Sequence, residues 1–173
     1  KKFFLGFAQV INAIRKCPKI VICRVHGKAI GGGVGIAAAA DYCMATNFGT
    51  IKLSELALGI GPFVIGPAVE RKIGLSAFSQ LALNATEWQT AHWAKEKGLY
   101  HEVFDSIEQL DAYIDEFSQR LAATSTSALH ALKQVLWHDT QHWDQLLDER
   151  AGISGRLVIT ESSQKAIRES KIV

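Results

Sequence analysis

The stretch that most limits how this chain can fold runs Gly31-Gly32-Gly33-Val34-Gly35-Ile36-Ala37-Ala38-Ala39-Ala40, a few residues after the β-branched run Ile20-Val21-Ile22-Cys23-Arg24-Val25. The β-branched run has the composition of a short strand inside a sheet. The segment from Val34 to Ala40 is small and apolar on every side, so a helix there must be buried all round. Between them, three consecutive glycines let the backbone turn with positive φ and approach a neighbour with no Cβ in the way. A strand, a glycine turn and a buried helix define the start of an α/β layer. Glycine N–H groups at the positive end of a helix also suit an anion, or an oxyanion that develops during a reaction.

Two other accounts of the same glycines stay open on spacing alone. Gly33-Val34-Gly35-Ile36-Ala37-Ala38 fits the dinucleotide fingerprint G-x-G-x-x-A, although a stretch that includes Gly27 to Gly31 separates it from the strand and no further βαβ unit follows. Alternatively, the glycines only permit close packing of helix on sheet.

The rest of the chain is organised around helices. Phe3, Phe4, Phe7, Val10, Ile11 and Ile14 recur at helical spacing, predicting an amphipathic helix over 3–16 that stops at Cys17-Pro18. Residues 42–45 and 50–53 are short strand candidates. Beyond Phe63 the helical period predicts helices near 64–73, 76–84, 87–96, 107–123, 127–149 and 160–170, with Gly98 suited to a left-handed position after a helix end. Thr124-Ser125-Thr126-Ser127 reads as a linker. At 173 residues, with 48% hydrophobic and 21% charged, the chain can bury a core, and it is neither disordered nor fibrous. A formal charge of +2 gives no electrostatic case for nucleic acid or a membrane surface. The apolar run from Ile30 to Ala40 is too short to span a bilayer. Lys1-Lys2-Phe3-Phe4-Leu5 is broken by Gln9, Asn12 and Arg15 and lacks the cleavage site of a signal peptide. Three cysteines (Cys17, Cys23, Cys43) without a CxxC pair point to reduced thiols and a cytoplasmic setting.

Several motifs then coincide in order and spacing. The segment from Lys19 to Thr46, "KIVICRVHGKAIGGGVGIAAAADYCMAT", is followed by Leu53-Ser54-Glu55-Leu56, by Leu58-Gly59-Ile60-Gly61-Pro62, and by Gly74, Ala91 and Lys95 to Leu99. Together they resemble the enoyl-CoA hydratase/isomerase (crotonase) family. The likeness is strong from Lys19 to Gly74, fair to Val103, and only helical in character beyond. It implies a crotonase-like twisted β/α core over 1–104 and a helical C-terminal assembly region over 105–173. It also implies that the sequence begins partway into the family's fold.

The resemblance implies a site as well. An N–H at Gly32 would bind the thioester oxygen as it becomes an enolate, with a second donor supplied from a segment upstream. Ala29, Ile30 and Gly31, together with Pro62 and Phe63, would border the substrate. Hydratases of the family use two glutamates; the first falls on Gly35 here and the second on Glu55. One remaining carboxylate suits a double-bond shift, which needs a single group to take a proton and return it, better than a hydration, which needs a second group to hold water. Glu70 is the reserve acid. Phe63, Val64 and Ile65 stand where the family often has glycines, and would narrow the acyl pocket. Lys165, Arg168 and above all Lys171 are the candidate cations for coenzyme A phosphates.

The implied activity is enoyl-CoA isomerisation, with coenzyme A present as part of the substrate and no separate cofactor. The alternatives are a hydratase, including one for a branched substrate such as methylglutaconyl-CoA, and a non-catalytic acyl-CoA-binding or assembly module. The implied partners are an acyl-CoA thioester and further copies of the chain in a trimer or hexamer, without nucleic acid or membrane. Trp88, Trp93, Trp137, Trp143, Tyr100 and Tyr113 add a hint of assembly, since aromatic rings are enriched at interfaces. His138 and His142 read as two imidazoles on one helical face, but no third ligand is evident and no metal is expected. His26 reads as structural.

Overall fold

The computed structural model describes residues 1–170. Helix α1 (Lys2–Lys16) buries Ala8 and Ile11 on its apolar side. It stops where Pro18 cannot donate the next helical hydrogen bond. Strand β1 (Ile22–Val25) leads through Gly27 into β2 (Ala29–Ile30), and α2 (Gly32–Ala39) follows at once. Then come β3 (Tyr42–Thr46), β4 (Ile51–Lys52), a 3₁₀ turn (Leu56–Leu58), α3 (Gly66–Leu83), α4 (Ala91–Glu96) and β5 (Glu102–Phe104). Everything later is helical: α5 (Ile107–Ala122), α6 (Thr126–Leu136), α7 (Trp143–Leu157) and α8 (Glu161–Glu169).

Two small parallel sheets carry the core. One has the order β1-β3-β5, with Cys23 opposite Cys43 and Met44 opposite Glu102; the other pairs Ala29 with Ile51 and Ile30 with Lys52. Parallel neighbours need a crossover, and α2 supplies it between β1 and β3. The buried helix is as expected, with Val34, Gly35 and Ala37 to Ala39 enclosed between α1, α3 and the strands. The interior position expected of β1 is not observed. Among the described residues β1 is a half-buried edge, and the central strand is β3, with Cys43 to Thr46 buried.

The helices expected over 64–73 and 76–84 form α3, interrupted at Gly74, whose φ of 76° is non-helical. Gly98 also takes positive φ, at 90°. The helix expected over 87–96 begins only at Ala91, because Gln89 pairs antiparallel with Ile51 and Thr90 caps the helix through its side chain. Strand β5 was not anticipated: three residues carry too little periodicity to register. The single helix expected over 127–149 is two helices, α6 and α7. The chain breaks at Asp139, which adopts φ 61°, so His138 and His142 lie in a turn and do not share a helical face.

One buried polar network ties the helical region to the sheet. Asp41 accepts hydrogen bonds from Val21 N (2.7 Å), Lys133 Nζ (2.5 Å) and Trp137 Nε1 (2.6 Å), and Lys133 also donates to Ile14 O. The Asp41 and Lys133 side chains are 2% and 4% exposed, so the pair is desolvated, and both carboxylate oxygens of Asp41 accept hydrogen bonds. Trp137 packs edge-on against Trp143, both within the core cluster, and Tyr100 is buried as well. These three aromatics therefore complete the core of the chain instead of marking an interface.

Candidate active site

Glu55 follows the buried β4–Leu53–Ser54 segment and opens the 3₁₀ turn. Its carbonyl accepts from Leu58 N and Ile60 N, which anchors the main chain on both sides of the turn. Gly59 closes it in the left-handed region at φ 73°, and the Ser163 hydroxyl of α8 donates to the Gly59 carbonyl at 2.9 Å. The carboxylate is thus held by main-chain geometry and by a helix more than a hundred residues later in the chain.

The side chain of Glu55 turns towards the start of α2. A Cβ added at Gly31 would sit 2.6 Å from Glu55 Oε1, and Gly31 itself adopts φ 51°, so this position needs glycine for both space and backbone. Gly32 opens α2, and its N–H has no carbonyl one turn earlier within the helix. A Cβ at Gly32 would overlap the ring of Phe7, so α1 packs directly on the glycine turn.

These elements enclose a cavity of about 230 Å³. Phe3, Phe4 and Phe7 form one wall, Ile30, Gly31 and Gly32 a second, and Ile60 to Ile65 a third. Among the lining residues only Ser54, Glu55 and Ser154 carry polar side chains, and none is cationic. Glu55 Oε2 is buried with no hydrogen-bond partner. Desolvation disfavours its charged form and raises its pKa to about 7, opposed in part by a hydrogen bond from its own backbone. A carboxyl that titrates near neutrality can both accept and return a proton, and a nearby helix N-terminus favours negative charge developing on a ligand.

Of the residues singled out in the sequence, Glu55, Gly32, Ile30, Gly31, Pro62 and Phe63 line this one cavity, as do Val64 and Ile65. The Ala29 side chain does not; it is buried in the core beside β4. Glu70 is exposed on α3 and lines other depressions. His26 is exposed and bonded to Arg24. Lys165 is paired with Glu169 on the surface of α8, and Lys171 lies outside the described residues. Other cavity residues were missed. Phe3, Phe4 and Phe7 belong to a helix whose apolar face looks like ordinary core, and Ser154 sits in a late helix with no local motif around it.

The fold is thus a parallel α/β layer in which a buried carboxyl lies beside the glycine-opened start of a helix. Residues 2–171 match the family model described as enoyl-CoA hydratase/isomerase. The chain belongs to this enoyl-CoA hydratase/isomerase family. It is 31% identical over 162 residues to the peroxisomal Delta(3,5)-Delta(2,4)-dienoyl-CoA isomerase of Arabidopsis thaliana, covering 91% of this chain and 57% of that protein. It is 34% identical over 119 residues to the 2,3-dehydroadipyl-CoA hydratase of Escherichia coli, covering 68% of this chain and 46% of that protein. The fold superposes on a crystal structure of an enoyl-CoA hydratase from Mycobacterium avium subsp. paratuberculosis with a TM-score of 0.88 at 24% identity, over 96% of this chain and 68% of that one. These neighbours share the crotonase fold. The chain spans about 57–63% of the length of two of the curated relatives it matches, the second being the trans-2-decenoyl-[acyl-carrier-protein] isomerase of Streptococcus mutans.

Proposed function

We propose that the complete protein is an enoyl-CoA isomerase in which Glu55 alone carries the proton. The observation that supports this reading is the Glu55 carboxyl itself: the one acid among the lining residues, with a pKa of about 7, beside the opening of α2. Its carboxylate takes a proton from C2 of a 3-enoyl thioester. The electrons move into a dienolate whose charge rests on the thioester oxygen, where the Gly32 N–H donates to it. The same carboxyl then returns the proton at C4, which leaves the 2-enoyl thioester. Nothing is gained or lost, so the reaction needs no cofactor beyond the coenzyme A of the substrate.

The lining residues also favour an unsubstituted hydrocarbon acyl chain, because among the described residues that line the cavity none is a cation able to pair with a second carboxylate such as that of methylglutaconyl-CoA. A hydratase is the second reading, and the hydroxyls of Ser54 and Ser154 favour it as groups able to hold a water. The two readings separate when the complete protein is offered a 3-enoyl-CoA and a 2-enoyl-CoA in turn. Double-bond migration exceeding hydroxyacyl-CoA formation is expected. Efficient hydration with little migration would hand the assignment to the hydratase.

A further inference from the structure

Gly35 is one turn into α2, buried, and not among the glycines with positive φ. Its backbone therefore does not call for glycine, and alanine there would favour the helix. What calls for glycine is space. A Cβ built at Gly35 would lie 2.6 Å from Ile65 Cβ, nearer still to Ile65 Cγ2, and 3.6 Å from Ile65 Cα. The first of these separations is well inside the closest approach of two carbon atoms.

Ile65 has little freedom to yield. It is 4% exposed, its β-branched side chain is stiff about χ1, and its carbonyl accepts from Val69 N in the first turn of α3. Its neighbour Pro67 fixes the start of that helix. Ile65 also belongs to the wall of the Glu55 cavity. The Cα–Cβ direction of position 35 thus points at a wall residue of that cavity, and Ile65 fills the volume into which a side chain at 35 would project.

We propose that Ile65 is a specificity-determining residue that keeps the cavity to a single acid, and that positions 35 and 65 form a reciprocal pair. A side chain at 35 requires glycine at 65; a bulky side chain at 65 requires glycine at 35. The pair decides whether the cavity holds one proton-carrying group, suited to a double-bond shift, or has room for a second that can hold a water. This rests on the isomerase reading above, but its steric half stands without it. The distances make a sharp distinction. The collision involves Cβ of Ile65, so Ile65→Ala does not relieve it and only Ile65→Gly does.

The test uses the complete protein in two arms. In the first, thermal melting compares Gly35→Ala in the Ile65, Ile65→Ala and Ile65→Gly backgrounds. The substitution is expected to lower the melting temperature by roughly 3–10 °C in the first two and to cost nothing in the third. Equal tolerance in all three backgrounds overturns the pairing. In the second arm, Gly35→Glu/Ile65→Gly is offered a 2-enoyl-CoA beside Ile65→Gly alone. At least a tenfold gain in hydroxyacyl-CoA formation is expected. A double variant that melts cooperatively but gains no hydration overturns the specificity role. Absence of 3-enoyl-CoA migration in the unsubstituted protein would instead overturn the isomerase reading, while the melting arm still reports on the pair.

Discussion

At the scale of single residues, the carboxyl of Glu55 links activity to stability. Burial raises its pKa from 4.5 to about 7, so the folded state binds this proton more tightly than the unfolded chain does. The favourable contribution is complete below pH 4.5 and is lost as pH rises through 7; in the ionised form, burial costs on the order of 3 kcal/mol. Two results are expected from Glu55→Gln. The kcat for 3-enoyl-CoA migration falls by about 10²–10⁴ while KM changes little, because shape is kept and only the proton carrier is lost. The variant also melts higher than the unsubstituted protein at pH 8, with the gap closing towards pH 5. In the unsubstituted protein kcat/KM should rise through a pKa near 7, set by the carboxyl of the free enzyme. Near-normal turnover of Glu55→Gln, or a melting difference independent of pH, would remove Glu55 from this role.

At the scale of elements, the question is what holds a late helix against an early sheet. Asp41 follows α2, and its carboxylate binds the start of β1 and two residues of the α6 end, while Lys133 reaches back to the last turn of α1. Removing one charge strands the other in a desolvated place, which typically costs 3–5 kcal/mol, whereas removing both together costs much less. Asp41→Asn is therefore expected to destabilise by about that amount in urea unfolding, and Asp41→Asn/Lys133→Met to recover a large part of the loss. A single variant within about 0.5 kcal/mol of the parent would show that packing of Trp137, and not the ion pair, secures α6. A gentler link exists at the other end, where Ser163 of α8 clamps Gly59 in the turn that carries Glu55. Ser163→Ala should lower kcat with little effect on KM, and Ser163→Thr should recover part of it if the Thr hydroxyl reaches Gly59 O. Equal effects on both constants would point to general loosening of α8.

At the scale of the whole molecule, apolar side chains remain uncovered after the core is complete. Leu132, Val135 and Leu136 lie at helical spacing on α6 with 48%, 64% and 40% of their surface exposed, a stripe that water solvates poorly. We propose that the complete protein assembles as a trimer or a pair of trimers through its helical C-terminal part. Light scattering at micromolar concentration is expected to give a mass three or six times that of one chain. A clean monomer would sink the proposal and leave the α6 stripe as ordinary surface. No helix among the described residues is long and apolar enough to cross a membrane.

Much of this was legible in the residues themselves. Uninterrupted small apolar residues from Val34 to Ala40 admit only a helix enclosed on all sides, and Pro18, Gly74 and Gly98 punctuate the chain through local backbone rules. Glu55 as candidate acid came through the family resemblance of the motifs around it, and not from spacing alone. Other properties needed the assembled structure. The break at Asp139 was hidden by apolar residues whose period continues across it. Trp137 and Trp143 look like interface aromatics until Asp41, almost a hundred residues earlier, is found bonded to one of them. The raised pKa of Glu55 comes from burial, which only the assembled fold supplies, since the cavity beside it is lined by residues from α1 to α7. That a Cβ at position 35 would meet Ile65 depends on the packing of α2 against the start of α3, which no local pattern reveals. Propensity and spacing act between near neighbours along the chain, whereas desolvation and steric exclusion act between whatever the fold brings together.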